Sequence, residues 1–135
     1  MKPSLAPGAA HKRTVSIDRA RTIDFMGEEL RVYATPEMVR DIEMTCRELL
    51  LQHLDGGEDS VGTHVDVYHT GATLLGMQAE VFATIVEVKG RSVTFEVTVK
   101  DPVEQVGHGR HTRFVVDVAK TAERLAAKAA KAKAL

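Results

Sequence analysis

An α+β sandwich, an antiparallel sheet of about five strands laid against one long helix, is the fold this sequence predicts. Three observations predict it. The hydrophobic period switches from about 3.6 to about 2 once the chain passes Asp55-Gly56-Gly57. The alternating stretches beyond that point are joined by turns of hairpin length. Only one segment has both the length and the start and stop signals of a substantial helix. With 135 residues the chain has room for one ordinary domain and not for two.

Each element follows in chain order. Residues 1–13 mix Pro3, Pro7, Gly8 and small residues without an apolar period, so a loose, flexible arm is expected there. The domain proper then covers 14–118. Short β-branched and apolar stretches at Thr14–Phe25 and Leu30–Tyr33, around the turn-like Met26-Gly27-Glu28-Glu29, predict one or two strands. At Ala34-Thr35-Pro36-Glu37 the signals change: Thr is a favoured N-cap, Pro suits the first helical position, and Glu complements the positive end of the dipole. A helix is expected from Pro36 to Leu54, stopped by Asp55-Gly56-Gly57. Val61, Thr63, Val65, Val67 and His69 share one parity. Met77, Ala79, Val81, Ala83 and Ile85 form a second alternating set, and Lys89-Gly90 turns the chain into Val93, Phe95, Val97 and Val99. After Asp101-Pro102 a last strand, Gln105–Val118, carries Gly107 and Gly109, which mark a bulge or a close backbone approach. Residues 119–135 are rich in Ala and Lys and should be a helical tail that frays outward. One helix covers little of such a sheet, so a homodimer joined at an edge strand is expected.

Composition narrows the function. Lys and Arg number 18 against 19 Asp and Glu, a net charge of -1, which provides no overall field toward nucleic acid or an anionic membrane. Neither partner is expected. A single cysteine, Cys46, excludes an internal disulfide and a cysteine-rich zinc site and fits a cytoplasmic location. The first residues have no apolar core of a signal peptide, and no apolar run is long enough to span a bilayer.

Two polar residues stand where apolar ones belong. On a helical wheel Met38, Leu49, Ile42, Cys46, Val39 and Leu50 form the apolar stripe. Glu43 falls about 140° from Met38, inside the arc bounded by Leu50 and Leu54, while Arg40, Asp41, Arg47 and Glu48 lie outside it. A carboxylate there is either a rim group paired with an arginine or a desolvated base or nucleophile. His69 ends the apolar parity of its strand, as a hydrogen-bonded core histidine or as a proton carrier. Thr35 is an N-cap on either reading, and its place at the start of the helix bearing Glu43 gives it interest. Other groups carry less. His108 and His111 point to opposite faces of a strand and have no completing ligand, so no metal is expected. Arg110 and Arg113 either bind an anion or are solvated. His53 reads as a packed helix histidine and Cys46 as an inert core thiol.

These residues, with their spacing, resemble the fluoroacetyl-CoA thioesterase family of hotdog-fold thioesterases. The resemblance runs from about Thr14 to Val118. It is carried by Ala34-Thr35-Pro36-Glu37-Met38-Val39 with Glu43, by Gly62-Thr63, Val67-Tyr68-His69-Thr70, Ala72-Thr73 and Gly76, and by Gly107-His108-Gly109 with His111-Thr112-Arg113. It implies a dimeric hotdog fold and hydrolysis of an acyl-CoA or related thioester without a cofactor. It also implies a catalytic set of Thr35, Glu43 and His69, with Gly62 and Arg113 at the substrate. The segment before the threonine, Glu29-Leu30-Arg31-Val32-Tyr33, is shorter and less aromatic than the lid of the fluoroacetate-specific member, so its acyl preference does not carry over. Two routes stay open, attack by Glu43 to form an acyl-enzyme anhydride and activation of water by Glu43. Three other functions compete: a non-enzymatic acyl-CoA binding protein, a hotdog dehydratase or hydratase, and a purely structural dimer.

Overall fold

A computed structural model describes all of residues 1–135. In chain order the elements are β1 (Ala10–Ser16), α1 (Thr35–Leu51), β2 (Glu58–His69), β3 (Gln78–Lys89), β4 (Ser92–Lys100), β5 (Gln105–Asp117) and α2 (Val118–Lys133). Two single 3-10 turns, Arg19–Arg21 and Glu28–Leu30, lie between β1 and α1. The five strands make one sheet in the order β1-β3-β4-β5-β2, every pairing antiparallel. The strands on either side of α1 are therefore the two edges.

The core lies between α1 and the concave face of the sheet. Alternation in β3 sends Ala79, Val81, Ala83 and Ile85 inward, and in β4 Val93, Phe95, Val97 and Val99, none more than 2% exposed. They meet Met38, Ile42, Cys46, Leu49 and Leu50 of α1, each fully buried. Gly90, at φ +60, turns β3 into β4 where a side chain would be strained. Asp101 closes the next turn by accepting from the Val103 and Glu104 N–H groups.

Several boundaries differ from expectation. The first strand starts at Ala10, inside the segment read as a loose arm, because its N–H and C=O groups find partners along β3. Residues before it are tied down as well: Leu5 is 9% exposed, and the N-terminal ammonium pairs with Asp55 and Glu58. After Ser16 the expected strand gives way to turns and the isolated bridge Thr22↔Tyr33, because Ser16 already lies opposite Gln78, the first residue of β3, and the chain runs past its partner strand. The long helix begins at Thr35, with Ala34 as N-cap and no capping side chain, and it ends at Leu51. His53 accordingly sits in the following turn, Nδ1 2.8 Å from Ser4 Oγ, rather than on the helix. The tail is helical from Val118, capped by Asp117 through the Lys120 N–H, and buries none of its residues. No helix is long and apolar enough to cross a membrane.

Candidate active site

A bulge in β2 decides which side chains face α1. The register against β5 shifts between Gly62 and His64, leaving Thr63 as the extra residue. Before the bulge Ser60 and Gly62 face inward, after it Val67 and His69 do, so the single parity expected from Val61 to His69 is broken. Val61 is turned outward and 48% exposed. Without the bulge Gly62 and His69 would lie on opposite faces of the sheet.

Thr35 and His69 come together at the N-terminal end of α1. Thr35 Oγ1 lies 2.8 Å from His69 Nδ1, a contact open to the hydroxyl because it does not cap the helix. Tyr33 packs against the imidazole edge to face, ring centroids 6.2 Å apart at 71°. Burial lowers the His69 pKa, with the Gly71 backbone opposing, so the ring is neutral near pH 7. The pair lines an open cleft of about 360 Å³ with Ile23, Val32, Tyr33, Thr70, Gly71 and Ala72.

Glu43, Gly62 and Arg113 form a second group two turns further along α1. Glu43 Oε1 is 3.5 Å from Arg113 Nη1 and 3.9 Å from His111 Nε2, and the carboxylate is 36% exposed. This is the geometry of a rim carboxylate paired with an arginine. A Cβ on Gly62 would collide with Glu43 Oε1 and lie 3.1 Å from His111 Cε1, so the missing side chain is what lets the carboxylate approach the strand. Arg113 is buried to 3% exposure. Its Nε and Nη2 donate to Ser60 Oγ and O at 2.7 and 2.8 Å, and its Nη1 donates to His111 Nε2 at 3.1 Å. Because arginine only donates, His111 Nε2 must accept, and its Nδ1–H donates to the His64 carbonyl at 2.8 Å. His111 is thus neutral, in keeping with a pKa lowered chiefly by burial, a trend the His64 carbonyl opposes.

No hydrogen bond joins the two groups, and Thr35 and Glu43 stand about 12 Å apart along the helix axis. His111 and Ser60 went unnoticed as members. The signal for His111 was its alternation with Arg113, two residues on, and with Val115. Asp41, placed by the wheel on the solvent side, is buried to 2% exposure, since the buried arc is centred nearer Met38 and Thr45 than the apolar residues alone suggest. Arg110 pairs with Glu96 on the outer face at 2.9 Å. Burial pushes the Cys46 thiol up to about 12, which makes it unreactive. No three His, Cys, Asp or Glu side chains gather where they could hold a metal ion.

His111, which is buried, and the half-buried His69 bear on stability. Their folded-state pKa values lie below the unfolded value of about 6.5. As pH falls through that value the unfolded chain takes up protons that the folded one does not, so stability present above about pH 6.5 is lost on the way down to the folded-state values. Urea midpoints should therefore fall between pH 7.5 and 5; a midpoint unchanged across that range would contradict the assignment.

Comparison with known proteins places the chain in a family. The family model for the fluoroacetyl-CoA-specific thioesterase FlK matches residues 17–119. The fluoroacetyl-CoA thioesterase of Streptantibioticus cattleyicolor is 37% identical over 89 residues, 66% of this chain and 64% of that protein, so the match spans less than two thirds of the relative's length. A solved structure of the fluoroacetyl-CoA thioesterase FlK superposes with a TM-score of 0.85 at 28% identity, covering 93% of this chain and 98% of the other. A Thermus thermophilus hypothetical protein of the thioesterase superfamily gives 0.89 at 26% identity over the whole of both chains. The sheet order, the single enclosed helix and the matched span make one statement: this chain has the hotdog fold and belongs to the fluoroacetyl-CoA-specific thioesterase family.

Proposed function

We propose that the protein hydrolyses an acyl-CoA or related thioester, with Thr35, Glu43 and His69 as its working groups. The observation that carries this reading is the 2.8 Å Thr35–His69 pair at an open cleft, in a chain of this family. Hydrolysis needs an oxygen nucleophile at the thioester carbon, donors for the developing oxyanion and a proton for the departing sulfur. Glu43 supplies the first, by attacking the carbonyl carbon or by taking a proton from the water that does. The C–S bond then breaks, and the sulfur receives its proton through His69, whose imidazole Thr35 orients; on the attack route water then hydrolyses the anhydride, releasing the acid and restoring the Glu43 carboxylate. Arg113 has its N–H groups turned inward, which favours a role in holding Glu43 over one in binding a CoA phosphate. Gly62 brings backbone close to the carboxylate.

Two protomers supply one site on this reading. The exposed β2 edge carries Val61, Val65 and Tyr68 at 48, 43 and 61% exposure and is free to pair with a second copy. Antiparallel two-fold pairing centred near Val65 places Gly62 of one strand opposite His69 of the other. The Glu43 half of one protomer then faces the Thr35–His69 half of its partner, closing the gap that separates them within one chain. The dimer would work in the cytoplasm, where its single thiol stays reduced.

Thiol release from a panel of acyl-CoAs, acetyl through medium-chain and phenylacetyl, tests the reaction. We expect turnover that is lost in His69→Ala. Thermal stabilisation by acyl-CoA with no thiol released by the folded wild-type dimer would favour a binding protein, and a change in enoyl-thioester absorbance would favour a dehydratase. Mixing inactive Glu43→Gln with inactive His69→Ala protein tests the shared site: heterodimers regain one complete site if the halves come from two protomers. An inactive mixture of proven heterodimers would place the whole site in one chain.

A further inference from the structure

Asp41 is a charge that the reaction above does not use and that the helix nevertheless buries to 2% exposure. Burying a carboxylate is costly unless its oxygens are satisfied, and here they are. Arg21 donates from Nε to Oδ2 at 2.9 Å and from Nη2 to Oδ1 at 3.2 Å, and the Tyr33 hydroxyl donates to Oδ2 at 2.5 Å. Arg13 Nη1 stands 3.7 Å from Oδ1. Two guanidinium groups face one carboxylate, and the Tyr33 phenol is its third donor; burial first, and then Asp41, push the Tyr33 pKa far above its ordinary value. The tip of Tyr33 is thereby locked. Its backbone is locked too, through a 2.8 Å bond from its N–H to the Thr73 carbonyl and the bridge to Thr22. What this fixed ring presents to the cleft is its packing against His69.

We propose that Tyr33, anchored by Asp41 and Arg21, is the positioning residue of His69: its ring forms the wall that keeps the imidazole aimed at Thr35 and keeps water from that side. The inference rests on the reading of His69 as the proton-transfer group. Among the residues lining the cleft, Tyr33 and His69 are the only titratable ones, so changes in the His69 environment report on Tyr33 with little interference. A misplacement of about 1 Å can cost on the order of 100-fold in rate, which makes a fixed wall worth a buried charge.

The test follows the His69 Cε1–H resonance of the full-length protein, assigned by its loss in His69→Ala, beside the kinetics. In Tyr33→Leu the His69 titration should rise toward its ordinary value as water enters. The kcat should fall on the order of 50-fold with KM changed less than about twofold. Tyr33→Phe keeps the ring, so it should keep the titration and lose kcat only several-fold. If the leucine variant fails to fold, Asp41→Asn loosens the anchor at nearly constant shape; the His69 resonance should then lose part of its ring-current shift, with kcat down about fivefold. Folded variants with wild-type His69 resonance, titration and kcat would overturn the proposal, as would a loss confined to KM. A wild-type protein that hydrolyses no thioester would sink the functional reading instead, while the resonance would still decide the positioning role.

Discussion

Glu43→Gln should leave a folded protein whose thioester turnover is down by about 1,000-fold or more, measured as thiol release at saturating substrate. The size of the effect follows from the chemistry: an amide neither attacks a thioester carbonyl nor accepts a proton from water at neutral pH, so both candidate routes end at this substitution. The structural cost is smaller. Glu43 is 36% exposed and 3.5 Å from Arg113, while Arg113 keeps both contacts to Ser60 and the one to His111. Removing the charge weakens one partly solvated pairing, so about 1 kcal/mol is expected. A variant that retains wild-type turnover would leave Glu43 as the rim carboxylate its geometry resembles and move the nucleophile elsewhere.

The largest loss of stability is expected from a residue that touches no substrate. Gly109 lies in β5 between Val67 of β2 and Val97 of β4. A Cβ there would collide with the Asp66 carbonyl oxygen and stand 2.8 Å from Val67 Cα. These are backbone atoms and cannot rotate away, so Gly109→Ala forces β2 off β5 at a cost on the order of 3 kcal/mol or more. Gly107 is the internal control. Its nearest obstacle is Met38 Sδ at 2.7 Å, the end of a flexible side chain that can yield, so Gly107→Ala should cost about 1 kcal/mol. Urea unfolding of the two variants decides between them, and equal midpoints would show that β2 accommodates the intrusion.

How much of this was legible in the sequence depends on where each signal came from. The helix and the three strands from Gln78 to Asp117 were readable because apolar spacing and turn residues agree locally, and the close approach at Gly109 was marked by the glycine itself. Thr35, Glu43 and His69 could be named from position and resemblance, but their grouping could not. The bulge at Thr63 leaves a regular alternation of Val61, Val65 and Val67 in the sequence while turning Val61 to the face opposite the other two. Asp41 looked solvent-exposed because its partners, Arg21 and Tyr33, belong to irregular chain with no periodicity to place them. Thr35 looked like a cap because a strong N-cap residue before proline is a local signal, whereas its bond to His69 spans 34 positions.

The extra residue in β2 makes the length of that strand a quantised variable. Side chains alternate with a period of two, so a deletion or insertion of one residue between Gly62 and His69 would rotate one of them to the outer face, while a change of two would preserve both orientations and shift only their spacing. Turns elsewhere, such as the one after Lys100, carry no such parity requirement and are free to change by single residues. Relatives that keep both halves of this site are therefore expected to differ here by even numbers or not at all. A loss of Thr63 alone would separate the glycine from the histidine as effectively as mutating either.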